Sequence, residues 1–144
     1  MRRLSLVLAV AVLAVACDGG GKAEGELETA EERWMASGIS DYTLVIGYGC
    51  FCPPEVRGPF EVTVENGEVV EIRFDGAVIQ PEPGITPVEV FTVEGLFAEI
   101  RSSLDADEIT VSYDERGNPT LIDIDRIANA IDDELTITAV LTTP

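Results

Sequence analysis

The sequence predicts an α+β domain, an antiparallel sheet of about six strands with two helices packed on one face. Three observations carry this expectation. Six runs alternate apolar and polar residues with the period of a half-buried strand. Turn-forming residues follow some of these runs closely enough for hairpins. Two other segments repeat their apolar residues at helical spacing.

The first helix is expected at Thr29-Ala30-Glu31-Glu32, which has capping-box spacing. Ala30, Trp34 and Met35 share one face, Trp34 is the expected core anchor, and Gly38 is the expected stop. Strands follow at Tyr42–Tyr48, Phe60–Glu65 and Val70–Phe74, with Asn66-Gly67 as a two-residue hairpin turn. Residues 76–90 hold Pro81, Pro83 and Pro87 and are expected to form a crossing loop. A second helix opens at Thr92. Phe91 and Leu96 stand at staple spacing around that cap, and Val93, Leu96, Phe97, Ile100 and Leu104 form its stripe. Three more strands are expected at Ile109–Tyr113, Leu121–Ile124 and Leu135–Leu141. The order is helix, three strands, helix, three strands. Gly67 and Gly117, like Asp75 and Asp125, lie fifty residues apart in similar hairpins, which hints at a duplicated αβββ unit.

The start of the chain carries an address. Met1-Arg2-Arg3 is a positive n-region, and Leu4 to Ala16 is an uncharged apolar run with the length of a signal h-region. Ala14-Val15-Ala16-Cys17 resembles a bacterial lipobox, in which the Cys is diacylated (palmitate is a usual acyl chain) and becomes the first mature residue. Leu13 stands one place earlier than the usual Leu of that motif. The alternative is a plain secretory signal with an incidental Cys. The expected organisation is therefore a lipoprotein signal peptide over 1–16, a Gly-rich flexible tether over 17–28, and one domain over 29–144. The expected location is the bacterial cell membrane, lipid-anchored, facing the periplasm or the exterior.

Composition narrows the function classes. The chain has 144 residues, 9 Lys and Arg against 27 Asp and Glu, no His, and a formal net charge of −18. Removing residues 1–16 takes away two arginines and no acid, which moves the net charge to −20. Without His there is no His general base, no Ser-His-Asp triad and no His-ligated zinc or haem. So acidic a chain cannot neutralise a run of phosphates, which argues against nucleic acid as a partner.

Two motifs could carry chemistry. Cys50-Phe51-Cys52-Pro53 places two thiols where an extended strand would hold their Cα atoms about 6.5–7 Å apart, at the limit for a disulfide. A bend, which the neighbouring Gly and Pro residues permit, would let the pair close. Exported thiols this close should oxidise. So small a closed loop contributes less than about 2 kcal/mol. The bond either rigidifies the strand exit or is redox-active; a soft-metal site lacks further ligands. The second motif is the carboxylate cluster Asp123, Asp125, Asp132, Asp133 and Glu134. If the last two strands form a hairpin, Asp125 faces Asp132 and Asp133 across the loop mouth, and such oxygens could take calcium. An EF-hand register fails, because Ile127 and Ala128 fall on positions five and six. The other reading is a solvated acidic loop with one Asp capping the turn.

Taken together, the Trp34 helix, Tyr42, Cys50-Phe51-Cys52-Pro53, the Asn66-Gly67 hairpin, the Phe91-Thr92 helix, Tyr113-Asp114…Gly117-x-Pro119-Thr120 and Asp132-Asp133-Glu134 resemble a family of small bacterial lipoproteins and secreted proteins with a domain of unknown function. The resemblance spans nearly all of residues 34–141. It implies an envelope location and no particular activity. In that family an aromatic residue often stands where this chain has Asn118. The expected function is a non-catalytic envelope module that binds a protein or ligand through an acidic face. The alternatives are a thiol-disulfide protein using Cys50 and Cys52, and an inhibitor of a secreted hydrolase that inserts the Pro-rich 76–90 loop.

Overall fold

The computed structural model of the chain describes residues 19–80 and 90–142. The elements are α1 (Gly19–Ser37), β1 (Tyr42–Gly49), a 3-10 turn (Pro54–Val56), β2 (Phe60–Glu65), β3 (Glu68–Phe74), β4 (Ala77–Val78), α2 (Val93–Ser102), β5 (Glu108–Tyr113), β6 (Pro119–Asp125) and β7 (Glu134–Thr142). The strands form one sheet in the order β4-β3-β2-β1-β7-β6-β5, with all six neighbouring pairs antiparallel. The α+β class is as expected. The extra strand is β4, a two-residue edge too short to show alternation.

Alternation decides which face is covered. Leu44, Ile46, Val62, Val64, Ile122, Ile124 and Ile137 are buried on one face, while their strand neighbours Thr43, Glu61, Thr63, Asp123 and Thr138 are on the other. Both helices pack on the apolar face, α1 against β5 and α2 against β6, and they touch each other. Leu27, Ala30 and Trp34 from α1 and Val93, Leu96 and Ile100 from α2 complete a single core. The Asn66-Gly67 turn has positive φ at both residues (53° and 78°), the geometry that suits the right-handed twist of its strands. Thr92 caps α2 by accepting a 3.0 Å hydrogen bond from the Gly95 amide, and Phe91 and Leu96 are both fully buried beside it.

Two expectations change. Residues 19–28 are not a tether but the first half of α1. Leu27 extends the stripe of Ala30 and Trp34 by one turn and is 1% exposed, so tertiary burial stabilises a segment whose glycines disfavour helix. Thr29 is no cap: its hydroxyl donates back to the Gly25 carbonyl at 2.9 Å within the helix. The fifty-residue echo also stops short of a duplicated αβββ unit. The turn at Gly67 joins the second and third strands of the first half, whereas the turn at Gly117 joins the first and second of the later half. The two hairpins are alike, but they occupy different places in the strand order, and β1 and β7 stand between them.

Residues 81–89, which hold the three prolines of the crossing loop, lie outside the described residues, as do residues 1–18 with the leader and Cys17. No helix among the described residues is long and apolar enough to cross a membrane.

Candidate binding surfaces

One end of the sheet carries both sequence motifs. β1 ends at Gly49, which pairs with Thr136 near the start of β7, so the loop after β1 and the loop between β6 and β7 are neighbours. Cys50 and Cys52 are joined as a disulfide with Cα atoms 5.2 Å apart, closer than an extended strand allows, so the chain bends there as the bond requires. Two hydrogen bonds fix the loop. The Tyr48 amide donates to the Arg57 carbonyl at 2.8 Å, and Arg57 Nε donates to the Cys52 carbonyl at 2.8 Å. The loop rises from an aromatic cluster in which Phe60 packs on Tyr48, Phe74 and Phe91 with centroids 6.4, 5.4 and 5.2 Å away. Phe51, between the bonded cysteines, is 81% exposed. Ile127 and Ile131 of the adjoining loop are exposed as well.

The acidic loop closes on itself. Asp133 Oδ2 accepts from the Ile127 amide at 2.7 Å, and Asp107 Oδ2 accepts from the Ala128 amide at 2.7 Å. Arg126 turns away to the helix layer, where it pairs with Glu99 at 3.0 Å and donates to the buried Ser103 hydroxyl at 3.2 Å. Asp125 faces the other side of the sheet. Its carboxyl is held above the ordinary Asp range, first by desolvation, then by the nearby charges of Asp133 and Glu134. Asp132 adopts a positive φ of 81° at the turn. Among the described residues no three His, Cys, Asp or Glu side chains are grouped closely enough to hold a metal ion.

Register reveals a feature that spacing alone hides. Glu108 on β5 pairs with Asp125 on β6, which pairs with Glu134 on β7. The three carboxylates form one cross-strand row on the outer face. The next row is Thr110, Asp123 and Thr136, where the Thr136 hydroxyl donates to Asp123 at 2.8 Å. Like charges directly opposite destabilise a sheet by about 0.2–1 kcal/mol per pair. The ion pairs among the described residues join Lys22–Glu26, Arg73–Glu71, Arg101–Glu31, Arg116–Asp114 and Arg126–Glu99, and none reaches this row. Glu108 was not visible as a member from sequence; aligning the two strands about the Asp114–Pro119 turn would have exposed it.

A third cluster ties the layers together. Trp34 Nε1 donates to Glu94 Oε1 at 2.7 Å, and the Tyr42 hydroxyl donates to Glu94 Oε2 at 3.4 Å while accepting from the buried Val93 amide at 3.0 Å. Trp34 and Tyr42 meet edge to face at 5.5 Å. Burial pushes the Tyr42 hydroxyl well above the usual tyrosine range, so it stays protonated as a donor and acceptor. With Trp34 and Tyr42 both 3% exposed, the cluster is structural.

These features define an α+β domain with one helix-covered sheet face and one bare, locally acidic face. The chain belongs to the family of unknown function DUF6174, whose match covers residues 26–144. No curated protein and no solved structure matches the chain.

Proposed function

We propose that this protein is a non-catalytic module of the bacterial envelope, moored by acyl chains on Cys17, that binds a basic segment of another envelope protein through the outer face of β5, β6 and β7. The observation that carries the reading is the row Glu108–Asp125–Glu134, three carboxylates in register that no ion pair among the described residues reaches. Such a row lowers stability in the free protein, and a cationic partner would recover that loss on binding. A photo-crosslinking residue at Thr110, beside the row, tests it in cells. The expected result is an adduct with a distinct envelope protein that disappears when Glu108→Gln, Asp125→Asn and Glu134→Gln are combined. An adduct indifferent to those changes would defeat the reading. The anchor is tested by Cys17→Ser, which should release the chain from the membrane fraction.

A second reading rests on the disulfide, which flanks the exposed Phe51. A reduction potential near −120 to −200 mV, roughly the range of thiol-exchange proteins, would support redox chemistry at Cys50 and Cys52; one below about −300 mV marks a structural bond.

A further inference from the structure

Strand β5 is one of the two edges of the sheet, and it is lightly guarded. It opens with one charged residue, Glu108, but the five that follow, Ile109-Thr110-Val111-Ser112-Tyr113, contain no Pro and no charged side chain, whereas natural edges are commonly blunted by both or kept very short. The opposite edge, β4, follows the rule with two residues. On β5 the register shift at Ser112/Tyr113 is confined to the end of the strand.

Concavities flank β5 on both faces. On the helix side a groove of about 560 Å³ runs between α1 and β5, walled by Gly21, Gly25, Thr29 and Arg33 along one helix stripe, by the ion-paired Lys22 and Glu26 beside it, and by Val111 and Tyr113 from the strand. A Cβ added at Gly25 would meet nothing within 4 Å. Glycine inside a helix costs about 1 kcal/mol relative to alanine, so the empty stripe is unfavourable for α1 by itself. The Tyr113 hydroxyl, on the strand wall, is buried without a hydrogen-bond partner among the described residues. On the outer side a smaller pocket of about 230 Å³ is lined by Glu108, Thr110, Asp123, Asp125 and Glu134.

We infer that β5 accepts an extended segment of a protein partner as an added strand, and that this segment alternates basic with small aliphatic side chains. A strand laid along β5 pairs with its outward backbone groups and sends successive side chains to opposite faces. One set meets the carboxylate pocket, which selects Lys or Arg. The other enters the groove over Gly21 and Gly25, where the missing side chains leave a gap beside Val111 and Tyr113 that small aliphatic groups would fill. The same charge argues against a second copy of this chain, since each carries −18. This inference rests on the acidic-face reading and adds to it the binding geometry.

The probe is a capped, fluorescein-labelled peptide alternating Lys and Val, titrated by anisotropy against the full-length chain in mild detergent. Two controls accompany it: the same peptide N-methylated at alternate amides, in either register, and a Glu-Val version. Gly25→Leu is the protein variant, because it fills the groove while favouring the helix. The expected result is binding of the Lys-Val peptide, weakened at least about tenfold by N-methylation in one register and by Gly25→Leu, with the variant's melting temperature unchanged or raised. Binding that survives both N-methylation registers and Gly25→Leu overturns strand addition and leaves the acidic face standing. No preference for Lys-Val over Glu-Val overturns both. Self-association of the chain that Gly25→Leu abolishes would assign the edge to a second copy and overturn the peptide partner.

Discussion

The Tyr42 hydroxyl accepts a 3.0 Å hydrogen bond from the Val93 amide, and so the first strand caps the start of a helix that begins fifty-one residues later. The amide is one of the donors that a helix N-terminus leaves without an intrahelical partner, and here it is buried. Tyr42→Phe removes its acceptor. The expected loss is about 1–3 kcal/mol in urea unfolding. Glu94→Gln, which leaves the amide satisfied, should cost less.

Gly117 sits at φ 94° in the β5–β6 turn, and a Cβ there would collide with the Ala30 carbonyl of α1. Gly117→Ala therefore meets both backbone strain and a backbone obstacle that cannot rotate away. The expected cost is at least about 1–3 kcal/mol, read as a lower melting temperature. Gly67→Ala, which also has positive φ but open space around it, should cost less than Gly117→Ala.

Asn118 is fully buried, and neither Nδ2 nor Oδ1 has a hydrogen-bond partner among the described residues. Its backbone is already satisfied through Asp114, whose amide donates to the Asn118 carbonyl at 2.9 Å and whose Oδ1 accepts from the Asn118 amide at 3.0 Å. Asn118→Leu keeps these bonds and removes two stranded polar atoms. A gain of about 1–3 kcal/mol is expected in chemical denaturation. A loss of stability would mean the pocket cannot receive the branched methyl groups.

The Asp125 carboxyl is raised in the folded chain, so the protonated form is the one folding favours. Its contribution is fully present below the ordinary Asp value and is lost as pH rises through the folded value. At pH 7 the ionised group opposes folding. Asp125→Asn should therefore melt higher than the parent at pH 7, and the difference should shrink toward pH 3. Added salt at pH 7 should narrow it as well, because part of the effect is repulsion from Asp133 and Glu134. A gap that is the same at both pH values would refute this assignment.

Replacing Cys50 and Cys52 together with Ser opens a loop only three residues long. Less than about 2 kcal/mol of stability should be lost, and the far-UV circular dichroism should not change. The sheet, with Tyr48 and Phe60 in the core on either side, holds the strand ends without the bond.

Much of the fold was legible because alternation is an unambiguous signal when one face is bare. Leu44 and Ile46, or Ile122 and Ile124, alternate with polar or less buried neighbours, and each such strand fell within a residue or two of its expected place. The first half of α1 was not legible. Its four glycines, Gly19 to Gly21 and Gly25, and the isolated Leu27 read as linker, and only the burial of Leu27 in the core shows why the segment is helical. The acidic site was half visible. Asp125, Asp133 and Glu134 are close in sequence, but Glu108 joins them through strand register, which spacing does not report. The exposure of Phe51 was equally hidden, since the residue type alone suggests burial.

The pairing of β1 with β7 sets when the domain can exist at all. Thr43 lies opposite Thr142, so the central ladder of the sheet joins its first strand to its last. As the chain is synthesised, every earlier element must wait with the middle of its future core uncovered until the nine residues of β7 emerge. A nonsense mutation just before β7 would therefore excise the spine rather than trim a margin, and quality-control proteases should clear the product.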